Sequence, residues 1–358
     1  MTLLPNQFER LARARSDLRM GLPVKVRHDG RVGLFVPAET CSPERFEALT
    51  ADEAAVLVIS QRRAETLKAR AYDGDIARIR IPSSAGLEWV HSVADPAKDL
   101  THPMQGPFAS EREGSADIHR FALTVIKTAG LLPAAIVADG HGIKAPDLTE
   151  LLLEEIGKIL DETSPIKNIV SGRVPLQVFQ DSRVHVFHPQ DGGDEHYAIE
   201  IGKPNRGEPV LSRLHSACFT GDLLGSLKCD CGSQLQAALD AMAKEGRGVL
   251  LYLNQEGRGI GLANKLRAYS LQDQGFDTVE ANHRLGFEDD ERDLRMGATI
   301  LAEMGFSSVR LMTNNPAKVA MMEAGGISVV ERVPLKVGLN PHNAEYLKVK
   351  ARKSGHLL

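Results

Sequence analysis

The sequence predicts an α+β protein of two domains, with a smaller α/β domain over residues 1–165 and a mixed α/β domain over residues 166–358. Three observations predict it. With 358 residues the chain is too long for one ordinary core. Short β-type runs interleave with amphipathic helical runs in both halves. Between the halves, the stretch DETSPIKNIVSGRVP, which begins at Asp161, reads as a boundary.

In the first half, Leu4–Met20 has a mixed-charge helical pattern. Val24–Arg27 and Val32–Val36 flank Asp29-Gly30, the signature of a type I′ hairpin. Ala54–Ile59 reads as a short buried strand followed by a helix around Arg62–Arg70. Residues 82–115, rich in Pro, Gly and Ser, read as a long loop. Ile118–Ala129 then reads as an apolar helix, Ala134–Ala138 as a strand and Leu148–Leu160 as an amphipathic helix.

The second half alternates more strongly. Arg183–His188, His196–Ile201 and Pro209–Cys218 read as strands. Gln234–Lys244 is a predicted helix that Gly246 ends, and Val249–Leu253 a strand entering a glycine-rich loop. Leu262–Gln274 is a helix ended by Gly275, Asp290–Met304 a helix, and Ser308–Met312 a strand. Asn315-Pro316 reads as an N-cap followed by an N1 proline.

Composition narrows the function classes. A net charge of −4 provides no global basic field for nucleic acid. No run of about 18 apolar residues occurs, so no membrane helix is expected. The N-terminus does not resemble a signal peptide, and four cysteines fit a reduced cytosol, so a cytoplasmic protein is expected.

The most informative run is CFTGDLLGSLKCDC, which spaces Cys218, Cys229 and Cys231 between a strand and a helix. Thiolates suit borderline-soft zinc, and three protein ligands leave one tetrahedral position for a reactive water. Gly232 is expected to let the backbone wrap the ion, and His215 is a fourth ligand or a polar neighbour. The loop Asn254–Gly261 follows a strand and opens a helix, a setting that suits phosphate or sugar binding or a close-packed turn, and Arg258 inside it favours an anion. Tyr269 on the next helix reads by spacing alone as a core tyrosine, and Asp290-Glu291-Arg292-Asp293 as first-turn acids of a helix. Lys318 in the first turn of a helix opposes the dipole, which points to a bound anion.

Taken together, RLHSACFTGD, SLKCDCG, QEGRGIGL, NKLRAY, TVEANHRLGF, DERD, TNNPAK and the C-terminal GHLL resemble the GTP cyclohydrolase II family over residues 165–358. The resemblance implies a zinc hydrolase that opens the base ring of a nucleotide, with Cys218, Cys229 and Cys231 as metal ligands. It implies Tyr269, Asp290 and Arg292 as catalytic residues, with Asp290 as proton acceptor and Arg292 acting at the α-phosphate. Substrate contacts would fall on Arg213, His215, Ser216, Gln234, Glu256, Gly257, Arg258, Thr278, Thr313 and Lys318. Magnesium would accompany the nucleotide phosphates, and a homodimer is implied.

Two positions depart from the family pattern: Ala217 replaces its usual glutamate, and Asn254 its usual arginine. The first half resembles a dihydroxybutanone-phosphate synthase without its acidic cluster, since Asp29 and Glu39 alone are too sparse for Mg²⁺. A degenerate first half joined to a cyclohydrolase half is also found in uracil-catabolism homologues. The expectation is therefore a uridine nucleotide as substrate, with GTP as the alternative and a zinc-stabilised nucleotide sensor as the non-enzyme reading.

Overall fold

A computed structural model describes residues 3–51, 54–101, 103, 105–141, 143 and 145–344. The GHLL motif lies outside the described residues. The chain divides into two compact units, one of residues 1–162 and 260–291, the other of residues 163–259 and 292–358.

In the first unit, α1 (Gln7–Arg19) begins at an Asn6 capping box, with Asn6 and Glu9 bonding each other's backbone N–H. β1 (Val24–His28) and β2 (Arg31–Pro37) form the expected hairpin, with His28 opposite Arg31. Asp29 and Gly30 turn it at φ 45° and 74°, the left-handed pair that a type I′ turn needs. α2 (Pro43–Thr50), β3 (Val56–Ser60), α3 (Gln61–Leu67) and β4 (Ile76–Arg80) follow.

The region 82–115 is not a featureless loop: it holds α4 (Leu87–Ala94) and a 3₁₀ turn at Pro96–Lys98. Val90, Val93 and Ala94 at helical spacing are buried against the sheet, and burying each valine contributes about 1.5–3 kcal/mol. The Pro- and Gly-rich flanks hid that stripe.

α5 (Asp117–Thr128) and β5 (Ala134–Asp139) match expectation. The predicted helix from Leu148 is instead β6 (Glu150–Leu152) followed by α6 (Leu153–Asp161), because residues 150–152 pair in parallel with β1. The six strands run in the order β4-β3-β5-β2-β1-β6. α1, α5 and α6 cover one face, and α2, α3 and α4 the other.

The second unit opens with β7 (Ile166–Arg173), inside the stretch read as a boundary, then β8 (Ser182–Pro189), β9 (His196–Ile201) and β10 (Val210–Ser216). A π-helical turn at Phe219–Leu223 leads to α7 (Cys231–Glu245), which Gly246 closes at φ 75°. β11 (Gly248–Leu253) enters the glycine-rich loop.

α8 (Gly261–Asp273) and α9 (Thr278–Leu285) come next, and here the structure departs from the boundary at 165/166. Residues 260–291 belong to the first unit, because Leu132 shares a buried cluster with Ile260, Ala268, Leu271, Ala281, Leu285 and Phe287. Asn264 also donates to the Gly130 carbonyl, and Arg62 pairs with Glu288.

Back in the second unit are α10 (Arg295–Glu303), β12 (Ser308–Met312), α11 (Pro316–Ala324) and β13 (Ser328–Val333). Asn315 caps α11, accepting from Ala317 N at 3.0 Å. The seven strands run β13-β12-β10-β11-β9-β8-β7. β10, β11, β12 and β13 pair in parallel, and β7, β8 and β9 are antiparallel. α10 and α11 pack on one face and α7 on the other. Among the described residues no helix is long and apolar enough to cross a membrane.

Candidate functional site

The end of β10, the π-helical turn and the start of α7 bring Cys218, Cys229 and Cys231 together. Their sulfurs all lie within 4.8 Å of one another, with Cys218 and Cys229 at 3.8 Å. A tetrahedral ion with bonds of about 2.3 Å to sulfur separates its ligands by about 3.8 Å. The turn is shaped around that triangle. A Cβ on Gly221 would sit 2.7 Å from the Cys229 sulfur and 3.0 Å from that of Cys218. Gly221 N–H donates to Cys218 Sγ at 3.3 Å.

Hydrogen bonding with Cys218 and Cys229, together with burial, pushes the Cys231 thiol well above its ordinary pKa, and hydrogen bonding with Cys218 raises that of Cys229. Three thiolates so close repel one another, and a dication relieves that repulsion. The donor set therefore fits zinc, with three sulfurs and a remaining position. Gly232 has a different role from the one expected. A Cβ there would meet the Gly221 carbonyl oxygen at 2.3 Å, so Gly232 lets two backbone segments touch.

His215 is buried on β10. Its Nε2 lies 3.0 and 3.1 Å from the two carboxylate oxygens of Asp222, and its ring stacks on Tyr252. That nitrogen bonds Asp222, which supports the polar-neighbour alternative over the fourth ligand. Burial lowers the His215 pKa, so the ring is neutral near pH 7.

Cationic side chains gather on the same unit. Arg213 is buried, donating to the Met312 carbonyl at 3.2 Å and to Gln234 Oε1, while Gln234 donates to Asp230. Burial pulls the Arg213 pKa down to about 10, still cationic at neutral pH. Lys318 Nζ donates to the Leu214 carbonyl at 2.9 Å, and Arg292 to Ser216 Oγ at 3.1 Å. Thr313 Oγ1 accepts from Asn315 N at 3.0 Å.

In the glycine-rich loop, Gly257 and Arg258 are both left-handed, at φ 62° and 61°. For Arg258 this is a strained conformation of the kind that gathers at binding sites. The Glu256 carboxylate accepts from Phe219 N at 2.6 Å and Gly257 N at 2.8 Å, tying this loop to the cysteine turn.

Tyr269, Thr278 and Asp290 fall in the first unit, and the other residues singled out fall in the second. Tyr269 is half-buried on α8, with Lys265 Nζ 5.8 Å from its ring centroid. Thr278 opens α9 and accepts from Gln272 Nε2 at 3.1 Å. Asp290 is exposed, and residues 290–293 precede α10 rather than opening it.

The two departures are built into the backbone. Asn254 Nδ2 donates to the Glu195 carbonyl at 2.5 Å, and Ala217 N to the Leu253 carbonyl at 2.8 Å. Sequence reasoning missed Gly221, Asp222 and Tyr252. Asp222 carried a signal, an acid four residues after a candidate ligand, whereas Tyr252 is joined to His215 only through strand register.

Comparison with known proteins agrees with this geometry. Residues 167–334 match the family model described as GTP cyclohydrolase II. GTP cyclohydrolase-2 of Azospirillum brasilense is 43% identical over 96% of this chain and 93% of its own length. That of Azotobacter vinelandii is 61% identical over 51% of this chain and 87% of its own. A two-domain 3,4-dihydroxy-2-butanone 4-phosphate synthase from A. baumannii aligns at a TM-score of 0.31 and 16% identity, over 93% of this chain and 100% of that one. A likeness of that size supports no conclusion. The extent and identity of the first match mean that this chain belongs to the GTP cyclohydrolase II family, hydrolases that act on carbon–nitrogen bonds.

Proposed function

We propose that this chain hydrolytically opens the imidazole ring of GTP, releasing the ring carbon as formate and the terminal phosphates as pyrophosphate, a step that fits riboflavin biosynthesis. The observation that carries this reading is the triangle of sulfurs, with Cys218 and Cys229 at the spacing of tetrahedral ligands, in a chain that a relative named GTP cyclohydrolase-2 matches over 96% of its length. The lean to a uridine nucleotide has no comparable support. It rested on Ala217, Asn254 and the first half, and Asn254 spends its side-chain amide on the Glu195 carbonyl.

When bound at Cys218, Cys229 and Cys231, zinc lowers the pKa of water to about 7 and so supplies a nucleophile at neutral pH. The cations Arg213, Arg258 and Lys318 hold the phosphates, and Arg292 acts at the α-phosphate. Asp290 accepts a proton from the attacking water, and Tyr269 donates one to the departing ring nitrogen. Glu256 and Gln234 hold the loop and Arg213 in place while Thr278, Thr313, His215 and Ser216 complete the proposed contacts. Magnesium enters with the triphosphate.

We further propose that residues 1–165 are a degenerate dihydroxybutanone-phosphate-synthase-like domain. The Glu39 carboxylate accepts from Leu132 N–H at 2.6 Å and faces Arg267 at 3.4 Å, so it is committed to packing. A cytoplasmic homodimer completes the reading.

The test is to incubate zinc-loaded protein separately with GTP, UTP and UMP and follow ultraviolet change and product mass. Formate and a diaminopyrimidine product from GTP are expected. Loss of uracil absorbance with GTP untouched would overturn the proposal.

A further inference from the structure

We propose that Asp222, which contributes no ligand atom, is the positioning residue that orients Cys218 for metal capture. The inference rests on the reading that Cys218, Cys229 and Cys231 hold zinc.

Asp222 lies in the π-helical turn that Cys218 caps. Its Oδ2 accepts from Cys218 N–H at 3.0 Å, and its own N–H donates to the Cys218 carbonyl at 2.7 Å. One residue thus holds both peptide groups of the first ligand, while neighbouring Gly221 N–H bonds the sulfur. The carboxylate is itself pinned from two strands. Tyr252 Oη on β11 donates to Oδ2 at 3.0 Å, and His215 Nε2 on β10 faces both oxygens. The side chains of Asp222 and His215 are only 6% and 3% exposed, so this carboxylate is buried.

A buried carboxylate is an expensive way to close a turn. Taking a carboxylate out of water is unfavourable unless donors surround it, and an amide or hydroxyl would satisfy Cys218 N–H with less desolvation. What only the carboxylate adds is a fixed negative charge against a triangle of sulfurs built for a dication. The hydrogen bond to His215 also fixes that ring with its proton on Nε2, consistent with Nδ1 having no partner among the described residues. Asp222, Tyr252 and His215 thus form a brace running from two central strands into the ligand turn. Two residues of that brace, Asp222 and Tyr252, carry no role in the proposed reaction.

The test compares full-length wild type, Asp222→Asn and Tyr252→Phe after zinc removal. Zinc affinity is read by chelator competition, and ligand geometry by the absorption bands of the cobalt-loaded protein. Asp222→Asn keeps the shape and removes the charge, and it is expected to weaken zinc about 10–100-fold and shift the cobalt bands. Tyr252→Phe removes one donor and is expected to weaken zinc about threefold or more. If Asp222→Asn does not fold, Tyr252→Phe decides alone. Wild-type zinc affinity and wild-type cobalt bands in the folded variants would overturn the proposal, as would a lowered melting temperature with both unchanged. A wild-type protein that binds no zinc would instead defeat the metal-site reading itself, and this inference with it.

Discussion

Gly221 stands so near Cys229 that one added methyl group would lie 2.7 Å from the sulfur. The same methyl would press on Cys218 Sγ at 3.0 Å and Cys231 Cβ at 3.0 Å, so the whole triangle depends on a bare backbone there. Gly221→Ala is expected to lower zinc affinity at least about tenfold while far-ultraviolet circular dichroism is unchanged, an overpacking cost of about 1–3 kcal/mol confined to the site. Retention of full zinc affinity would show that the turn is not shaped around the sulfurs.

Removing one sulfur is the complementary change. Cys229→Ser is expected to abolish turnover and reduce bound zinc, because serine is a poor ligand for a thiolate-selected ion. Metal analysis alongside a GTP assay checks it. Full activity in protein stripped of metal would contradict the water-activation chemistry.

A third prediction concerns the first unit. Arg63 is 1% exposed and held by Asp99 at 2.5 and 2.8 Å, with its Nε on the Val93 carbonyl. Asp99→Ala leaves that charge buried without its counter-ion, and should cost about 3–5 kcal/mol in chemical denaturation of the full chain. A loss under about 1 kcal/mol would mean that water or Arg63 rearrangement replaces the pair.

His28 supplies a pH dependence. Its hydrogen bond to Glu154 raises its pKa above the ordinary 6.5, with Asp29 and Asp117 adding to the effect against the opposing cost of burial. A raised folded-state value means that the stabilisation is fully present below about pH 6.5 and is lost as pH rises through the folded value. The stability gap between wild type and Glu154→Gln should therefore shrink between about pH 6 and pH 9. A gap that widens over that range would have the wrong sign.

Legibility in the sequence followed the range of the forces involved. The hairpin at Asp29-Gly30, the Asn315 cap and strand β12 rest on local chemistry, and the residues announce them. The three cysteines were legible because their ligand chemistry is carried by residue type and spacing. β6 was not, since three residues become a strand only by pairing with β1 from far along the chain. The placement of residues 260–291 was hidden for the same reason: their apolar stripes say that they pack, and Leu132 decides where. In the site, nothing local joins Tyr252 to His215, which meet only through the register of β10 and β11.

X-ray absorption on the zinc-loaded chain tests the central claim most directly. The account predicts one zinc per chain with three sulfurs at about 2.3 Å and one lighter ligand atom. Four sulfurs around the ion, or no sulfur at all, would contradict it.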